Sequence, residues 1–176
     1  MRISGGLLRG RGFNTPNNKR THPMGERVRS GLFNALGELD GLTVLDAFAG
    51  SGALCFEAVS RGAIKAVAID SDRQAQLTIK DNIAALGLAE QVKLVKANAG
   101  AWLSTSDEIY DLVLLDPPYD NIQTKLLDDL AGRVKTGGIV VVSLPPKIDF
   151  TLDTDYRSIQ VKNYGDADLH FFERET

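Results

Sequence analysis

Between residues 25 and 39, apolar side chains recur at helical spacing. Val28, Leu32, Ala35, Leu36 and Leu39 share one face, and Arg27 and Asn34, one heptad apart, share the opposite one. Beyond Gly41 the pattern changes to short apolar runs alternating with helical periods. Strands are predicted over residues 43–46, 65–69, 91–96, 109–115 and 138–144, with helices over 53–60, 72–86 and 122–134 between them. Ala75, Ile79, Ile83 and Leu86 face inward along the second of these helices, and Gly87 is placed to stop it. Two more strands, 156–161 and 169–172, flank Gly165. Nearly continuous apolar strands alternating with helices imply an α/β fold, a mostly parallel central sheet with helices on both faces. In such sheets ligands bind beyond the carboxyl ends of the strands, so chemistry is sought in those loops. Ahead of this pattern, Gly5-Gly6, Gly10 and Gly12 punctuate short apolar pairs, which predicts a small β-hairpin, and residues 14–20 have the composition of an exposed loop. The division expected is an N-terminal arm over 1–24, not an independent domain, and one domain over 25–176.

Composition narrows the class. A chain of 176 residues, 43% hydrophobic and 24% charged, suits a single folded domain with a real core. No uninterrupted apolar run is longer than 139–142, which fits a buried strand and is far short of a membrane span. The early arginines are followed by no apolar segment, so no secretory signal is expected and the cytoplasm is the expected compartment. One cysteine excludes an internal disulfide framework and a Cys-rich zinc site, and two histidines leave few ligands for any other metal; none is expected. The net charge of −3 hides an asymmetry: residues 1–30 carry +6 and the remainder −9. A basic arm on an acidic body can grip phosphates at one edge.

Candidate chemistry lies at three strand ends. Asp46-Ala47-Phe48-Ala49-Gly50-Ser51-Gly52 runs from strand to helix through two glycines, where backbone can approach a ligand closely and a helix start offers free N–H groups. Cys55 stands where a dinucleotide fingerprint needs its third glycine, which disfavours a nicotinamide cofactor, and no P-loop ending is present. Asp70, twenty residues after Gly50, can accept both hydroxyls of a ribose, with Ser71 or Asp72 as the cap of the next helix. Asn98, after the third strand, is placed to read an adenine edge by its side-chain amide. Asp116-Pro117-Pro118-Tyr119 closes the fourth strand and suits one chemical problem, making the planar amino group of a base nucleophilic. One N–H donated to the Asp116 carboxylate and another to the Pro117 carbonyl draw the nitrogen toward tetrahedral geometry, so that its lone pair points at an electrophile. The prolines supply rigidity without competing N–H groups, and Tyr119 can stack on the base.

With these segments in view, the sequence resembles the S-adenosylmethionine-dependent amino-methyltransferases, and more narrowly the bacterial 16S ribosomal RNA guanine-N2 methyltransferases of the RsmD family. The resemblance covers nearly the whole chain: Arg2-Ile3-Ser4-Gly5-Gly6, Leu8-Arg9-Gly10-Arg11, residues 26–34, residues 46–54 and Ser60-Arg61-Gly62-Ala63. It implies a single Rossmann-like class I methyltransferase domain with S-adenosylmethionine as cofactor and 16S rRNA, within the small ribosomal subunit or an assembly intermediate, as partner. It further implies that Asp46, Gly50 and Gly52, flanked by Phe48 and Ala49, line the methionine end of the cofactor. Asp70 would meet its ribose and Asn98 its adenine, with Ser71 and Ala99 also among the cofactor-binding residues. Asp116, Pro117, Pro118 and Tyr119 would hold a flipped guanine, and Arg9, Arg11, Arg27 and Arg29 would anchor RNA. Glu26, Ser30 and His22-Pro23-Met24-Gly25 depart from the family's usual text on the substrate side, and Asn98 replaces a frequent Asp. Cys55 reads as a packed thiol, since nothing basic accompanies it. Two other readings stay open here: adenine-N6 methylation of DNA or RNA by the same tetrapeptide, and a non-catalytic RNA-binding factor. The short arm leaves no room for the target-recognition region of such DNA enzymes, and the intact tetrapeptide argues against lost turnover.

Overall fold

The computed structural model describes residues 1–17 and 23–176; Lys19 and Arg20 of the predicted loop, and His22, lie outside the described residues. The elements run α1 (Glu26–Leu36), β1 (Thr43–Asp46), α2 (Ala53–Ser60), β2 (Lys65–Asp70), α3 (Arg73–Leu86), β3 (Val92–Lys96), α4 (Ala99–Leu103), β4 (Tyr110–Leu115), α5 (Thr124–Ala131), β5 (Val134–Leu144), β6 (Tyr156–Asn163) and β7 (Asp168–Arg174). One sheet orders the strands β3-β2-β1-β4-β5-β7-β6. The five strands from β3 to β5 are parallel, and β7 runs antiparallel to both its neighbours. The chain winds outward from β1 to β3, then returns to lay β4 on the other side of β1. The strand order therefore reverses between β1 and β4, and a crevice opens beyond their carboxyl ends.

Strand periodicity decides which residues fill which layer. Val44, Leu112, Leu114 and Val141 face one core with Leu32, Phe33, Phe56 and Ile79 of α1, α2 and α3. Leu45, Val113, Leu115 and Val140 face the other, with Trp102, Leu127 and Leu130 of α4 and α5. Three boundaries differ by three residues or more from those the pattern predicts. α1 stops at Leu36, because Gly37 takes φ 79° and returns its N–H to the Phe33 carbonyl, which leaves Leu39 buried in a loop. α5 ends early and β5 starts early, because the Arg133 carbonyl and Val134 already pair with Tyr110 of β4. α4 is too short to show a helical period and went unpredicted; Asn98 caps it.

The arm is a hairpin fastened to α2. An Arg2–Gly12 bridge pairs its limbs, with Ile3 donating to the Arg11 carbonyl at 3.0 Å and Gly10 to that of Ile3 at 2.8 Å. Its turn rests on the last residue of α2: Leu7 N–H reaches the Ser60 carbonyl at 2.7 Å, and Ser60 Oγ donates to the Gly5 carbonyl at 2.6 Å. Glu57, fully buried, accepts from Ser4 N and Oγ, from Arg29 Nε at 3.3 Å and from Arg61 Nε at 2.9 Å. Burial would raise the Glu57 carboxyl, but the Ser4 hydrogen bonds and Arg61 outweigh it and hold it below its ordinary range. Covered by hairpin and sheet, α2 is buried at all eight of its residues.

Candidate active site

β1 ends on Asp46, β2 on Asp70, and Asp116 follows β4, so three carboxylates converge at the crevice where the strand order reverses. They border a cleft of about 1120 Å³ that also takes in Phe48 to Ser51, Ser71, Asn98, Ala99, Tyr119, Ser143 and, from α1, Val28. The loop between β1 and α2 turns at Gly52 with φ 83°, and a Cβ there would fall 2.6 Å from the Phe56 ring. Only glycine combines that backbone with that contact.

Asp46 is wholly buried. Its Oδ1 accepts from Phe48 N–H at 3.3 Å, while Oδ2 has no partner. Burial pushes its pKa up to about 8; the Phe48 N–H opposes this, and the negative charges of Asp116 and Asp70 add to it. Asp70 braces the glycine loop, accepting from Gly50 N–H and from Asp72 N–H, each at 2.8 Å. Burial lifts its carboxyl as well, against those same N–H bonds. Of the two candidate caps, Asp72 caps α3, accepting from Ala75 N–H at 2.8 Å, and Ser71 stays exposed at the cleft. Asn98 also lies at the cleft, but its side-chain oxygen is engaged by Ala101 N–H at 3.0 Å, the capping bond of α4. Three carboxylates held above their usual range, one with an unpartnered oxygen, make a site in which a cationic ligand would relieve stored repulsion.

Pro117 is buried, whereas Pro118 and Tyr119 reach the surface at the rim. The Tyr119 hydroxyl lies 2.8 Å from Ser143 Oγ on β5. Burial lifts Asp116 to about 6, and a hydrogen bond from the Ser143 hydroxyl opposes the rise. Sequence reasoning missed Ser143; its signal was a lone polar residue inside the apolar run of β5. It also missed Asp166 and Ala167, which enter the cleft wall from the β6–β7 turn. That turn closes on α1 at Gly31, where a Cβ would meet the Tyr164 hydroxyl at 2.0 Å. Cys55 is buried, and burial pushes its thiol well above its ordinary range. Among the described residues, no group of three or more His, Cys, Asp or Glu side chains gathers to hold a metal ion, and no helix is long and apolar enough to cross a membrane.

The four arginines expected at RNA separate. Arg27 is exposed on the first turn of α1, next to Val28 in the cleft wall. Arg9 and Arg11 are exposed on the hairpin, Arg11 donating to the Ala85 carbonyl at 3.0 Å. The hairpin turn sits at the end of α2 remote from the cleft, about 12 Å away along the helix axis. Arg29 corrects the expectation. It is fully buried, pairs with Glu57, donates to the Arg2 carbonyl at 2.6 Å and to that of Met24 at 3.3 Å, and so cannot meet RNA. Its guanidinium instead fastens the arm to α1 and α2.

Comparison with known proteins places this cleft in context. A family model described as "Conserved hypothetical protein 95" matches residues 1–173. The chain is 38% identical over 139 residues to ribosomal RNA small subunit methyltransferase D of Escherichia coli, covering 78% of this chain and 68% of that protein. It is 36% identical over 123 residues to the protein of the same name from Haemophilus influenzae, covering 68% and 64%. Among solved structures, the Escherichia coli protein yhhF, described provisionally as a methyltransferase, superposes with a TM-score of 0.89 at 29% identity, covering 99% of this chain and 98% of that one. SMU.776, solved in complex with SAH, shares the fold alone, with a TM-score of 0.67 at 16% identity over 94% of this chain and 52% of that one.

Proposed function

The chain belongs to the family of ribosomal RNA small subunit methyltransferase D, and from that premise we propose that it transfers a methyl group from S-adenosylmethionine to the exocyclic N2 amino group of a guanine in 16S rRNA. It is an S-adenosylmethionine-dependent rRNA methyltransferase; the base, the atom and the small-subunit setting, in the cytoplasm, are the finer parts of the proposal. One observation carries it: Asp116-Pro117-Pro118-Tyr119 stands at the crevice beside a buried carboxylate, Asp46, that lacks a partner for one oxygen.

When bound, the cofactor supplies a methyl group on a cationic sulfur. Its positive charges suit the acidic floor of Asp46 and Asp70, while Gly50 and Gly52 let the backbone approach it. Ser71, Asn98 and Ala99 border the same cleft and would meet its nucleoside end. On the substrate side, the Asp116 carboxylate and the Pro117 carbonyl accept the two N–H bonds of the amino group. Tyr119, 41% exposed, offers its ring face to the extruded base. Catalysis here is positioning plus fixed electrostatics. Arg27 at the cleft mouth, and Arg9 and Arg11 on the hairpin, would hold the surrounding RNA.

The test uses radiolabelled S-adenosylmethionine with small ribosomal subunits lacking the modification, beside naked 16S rRNA and duplex DNA, followed by identification of the labelled nucleoside. Label in N2-methylguanosine is expected. Label in N6-methyladenine would overturn the substrate and keep the chemistry. Asp116→Ala is expected to lower kcat by at least about 100-fold while leaving cofactor affinity within a few-fold; full activity in that variant would refute the assigned role.

A further inference from the structure

The β6–β7 turn brings Asp166 and Ala167 into the cleft wall, and the sheet decides where they stand. Leu169 of β7 lies opposite Ser143 and belongs to the core layer of α1 and α2, so Ser143 faces that side as well. The Tyr119 hydroxyl meets Ser143 Oγ at 2.8 Å, on the same side. The turn precedes Leu169 and lies beyond the carboxyl end of β5, at the edge of the cleft where Tyr119 reaches the surface. Its shape is fixed. Tyr164 N–H donates to the Ala167 carbonyl at 2.9 Å, which leaves a two-residue loop, Gly165-Asp166, with Gly165 at φ 94°. Asn163 braces this loop, accepting from Gly165 N–H at 3.1 Å and donating to Asp168. Asp168 is occupied in this way and also accepts from Lys147 N–H at 3.0 Å. Asp166 is exposed, and among the described residues its carboxylate accepts no hydrogen bond. Asp120 borders the cleft too. Past Tyr119, however, Asn121 N–H turns back to the Pro118 carbonyl at 3.0 Å and the chain runs to α5, on the other face of the sheet. Asp120 thus stands where the chain leaves the tyrosine's side.

Once the Asp116 carboxylate and the Pro117 carbonyl hold the two amino hydrogens, the ring atom beside that amino group on the pairing edge must also be met. In guanine that atom is N1, which carries a proton. In adenine and cytosine the corresponding nitrogen carries a lone pair. A carboxylate accepts from the first and repels the others. Resting on the methyl-transfer reading above, we infer that Asp166 is the specificity-determining residue of this site, accepting the N1–H of guanine beside the captured amino group and so rejecting adenine and cytosine. A braced two-residue turn suits the task, because a selective acceptor must not swing away with the base.

The test measures binding by NMR, with the protein saturated with S-adenosylhomocysteine. The ligands are the 5′-monophosphates of guanosine, adenosine and 2-aminopurine riboside. 2-Aminopurine keeps the amino group of guanine but has a lone pair at N1. The parent is expected to bind the guanosine ligand at least about tenfold more tightly than either of the others. The amide of Asp166→Asn can accept from N1–H or donate to a lone pair, so there the three affinities should fall within about threefold of one another. Asp166→Ala should weaken the guanosine ligand alone, and both variants should keep the parent's affinity for S-adenosylhomocysteine. Asp120→Asn should keep the parent's preference. A parent without a guanine preference would overturn the inference, as would a preference that survives in Asp166→Asn or disappears in Asp120→Asn. Binding needs no turnover, so the two readings fail separately. A protein that prefers guanine through Asp166 yet methylates no RNA defeats the functional reading alone. One that forms N2-methylguanosine without this dependence defeats the present inference alone.

Discussion

A carboxyl group sealed from water with one oxygen unpartnered is a charge the fold resists, and Asp46 places that resistance at the floor of the cleft. Its pKa of about 8 stands above the ordinary value of 3.8, so between those values the folded protein holds a proton that the unfolded chain has released. The stability this proton confers is complete below the lower value and is lost as pH rises through about 8. The stability of the parent should therefore decline with pH across that window, by up to about 1.4 kcal/mol per pH unit where the difference is a full proton. Asp46→Asn should flatten the decline, with urea unfolding at pH 5 and pH 8 as the comparison. A cation bound beside Asp46 lowers its pKa, so cofactor binding at pH 7 should expel close to one proton. Calorimetry in buffers of different ionisation enthalpy would measure this, and Asp46→Asn should expel far less. Asp46 and Asp116 were legible as acids at the ends of apolar strands. Ser143 was not, because its meaning depends on β5 lying beside β4, a neighbour relation that no local pattern encodes.

The arginines of α1 show where a helical period was underused. Arg27 and Arg29 look alike in sequence, yet two residues are 200° of rotation, so they stand on opposite faces. Arg29 shares its face with Leu32 and Phe33, three and four positions on, and both of these are buried. Glu57 carried the complementary signal, a single acid within the apolar text of α2. Truncating one partner of a buried ion pair costs far more than the pair contributes. Arg29→Ala should lower the free energy of unfolding by about 3 kcal/mol or more in urea, without separately changing the RNA affinity of the fraction that stays folded. Arg27→Ala should leave stability within about 0.5 kcal/mol and weaken RNA binding. The helices and strands with strong periods were legible to within a few residues; α4 escaped because five residues contain little more than one turn.

Across the whole molecule, charge and shape are separated. The acidic cleft lies at one end of α2 and the cationic hairpin turn at the other, so an RNA that meets both must follow the length of that helix. Binding should depend steeply on salt, and neutralising Arg9 and Arg11 together should reduce the slope of log affinity against log salt by about 2. Cofactor affinity should be unchanged, and filter binding over a salt series would measure both. The parallel half of the sheet followed from strand-helix alternation. The seating of the last two strands did not, because period-two runs identify strands without naming their partners. That seating orders assembly in time. β7 lies between β5 and β6 although it is made after both, and its register with β5 runs from Ile139–Glu173 to Leu144–Asp168. A ribosome that has released β6 but still shelters β7 in its exit tunnel carries a nascent sheet with the apolar margin of β5 bare and β6 lacking the neighbour it takes in the finished fold. The stretch of cleft wall contributed by Ser143 is then on an open edge, and it stays so until β7 leaves the tunnel and pairs with β5.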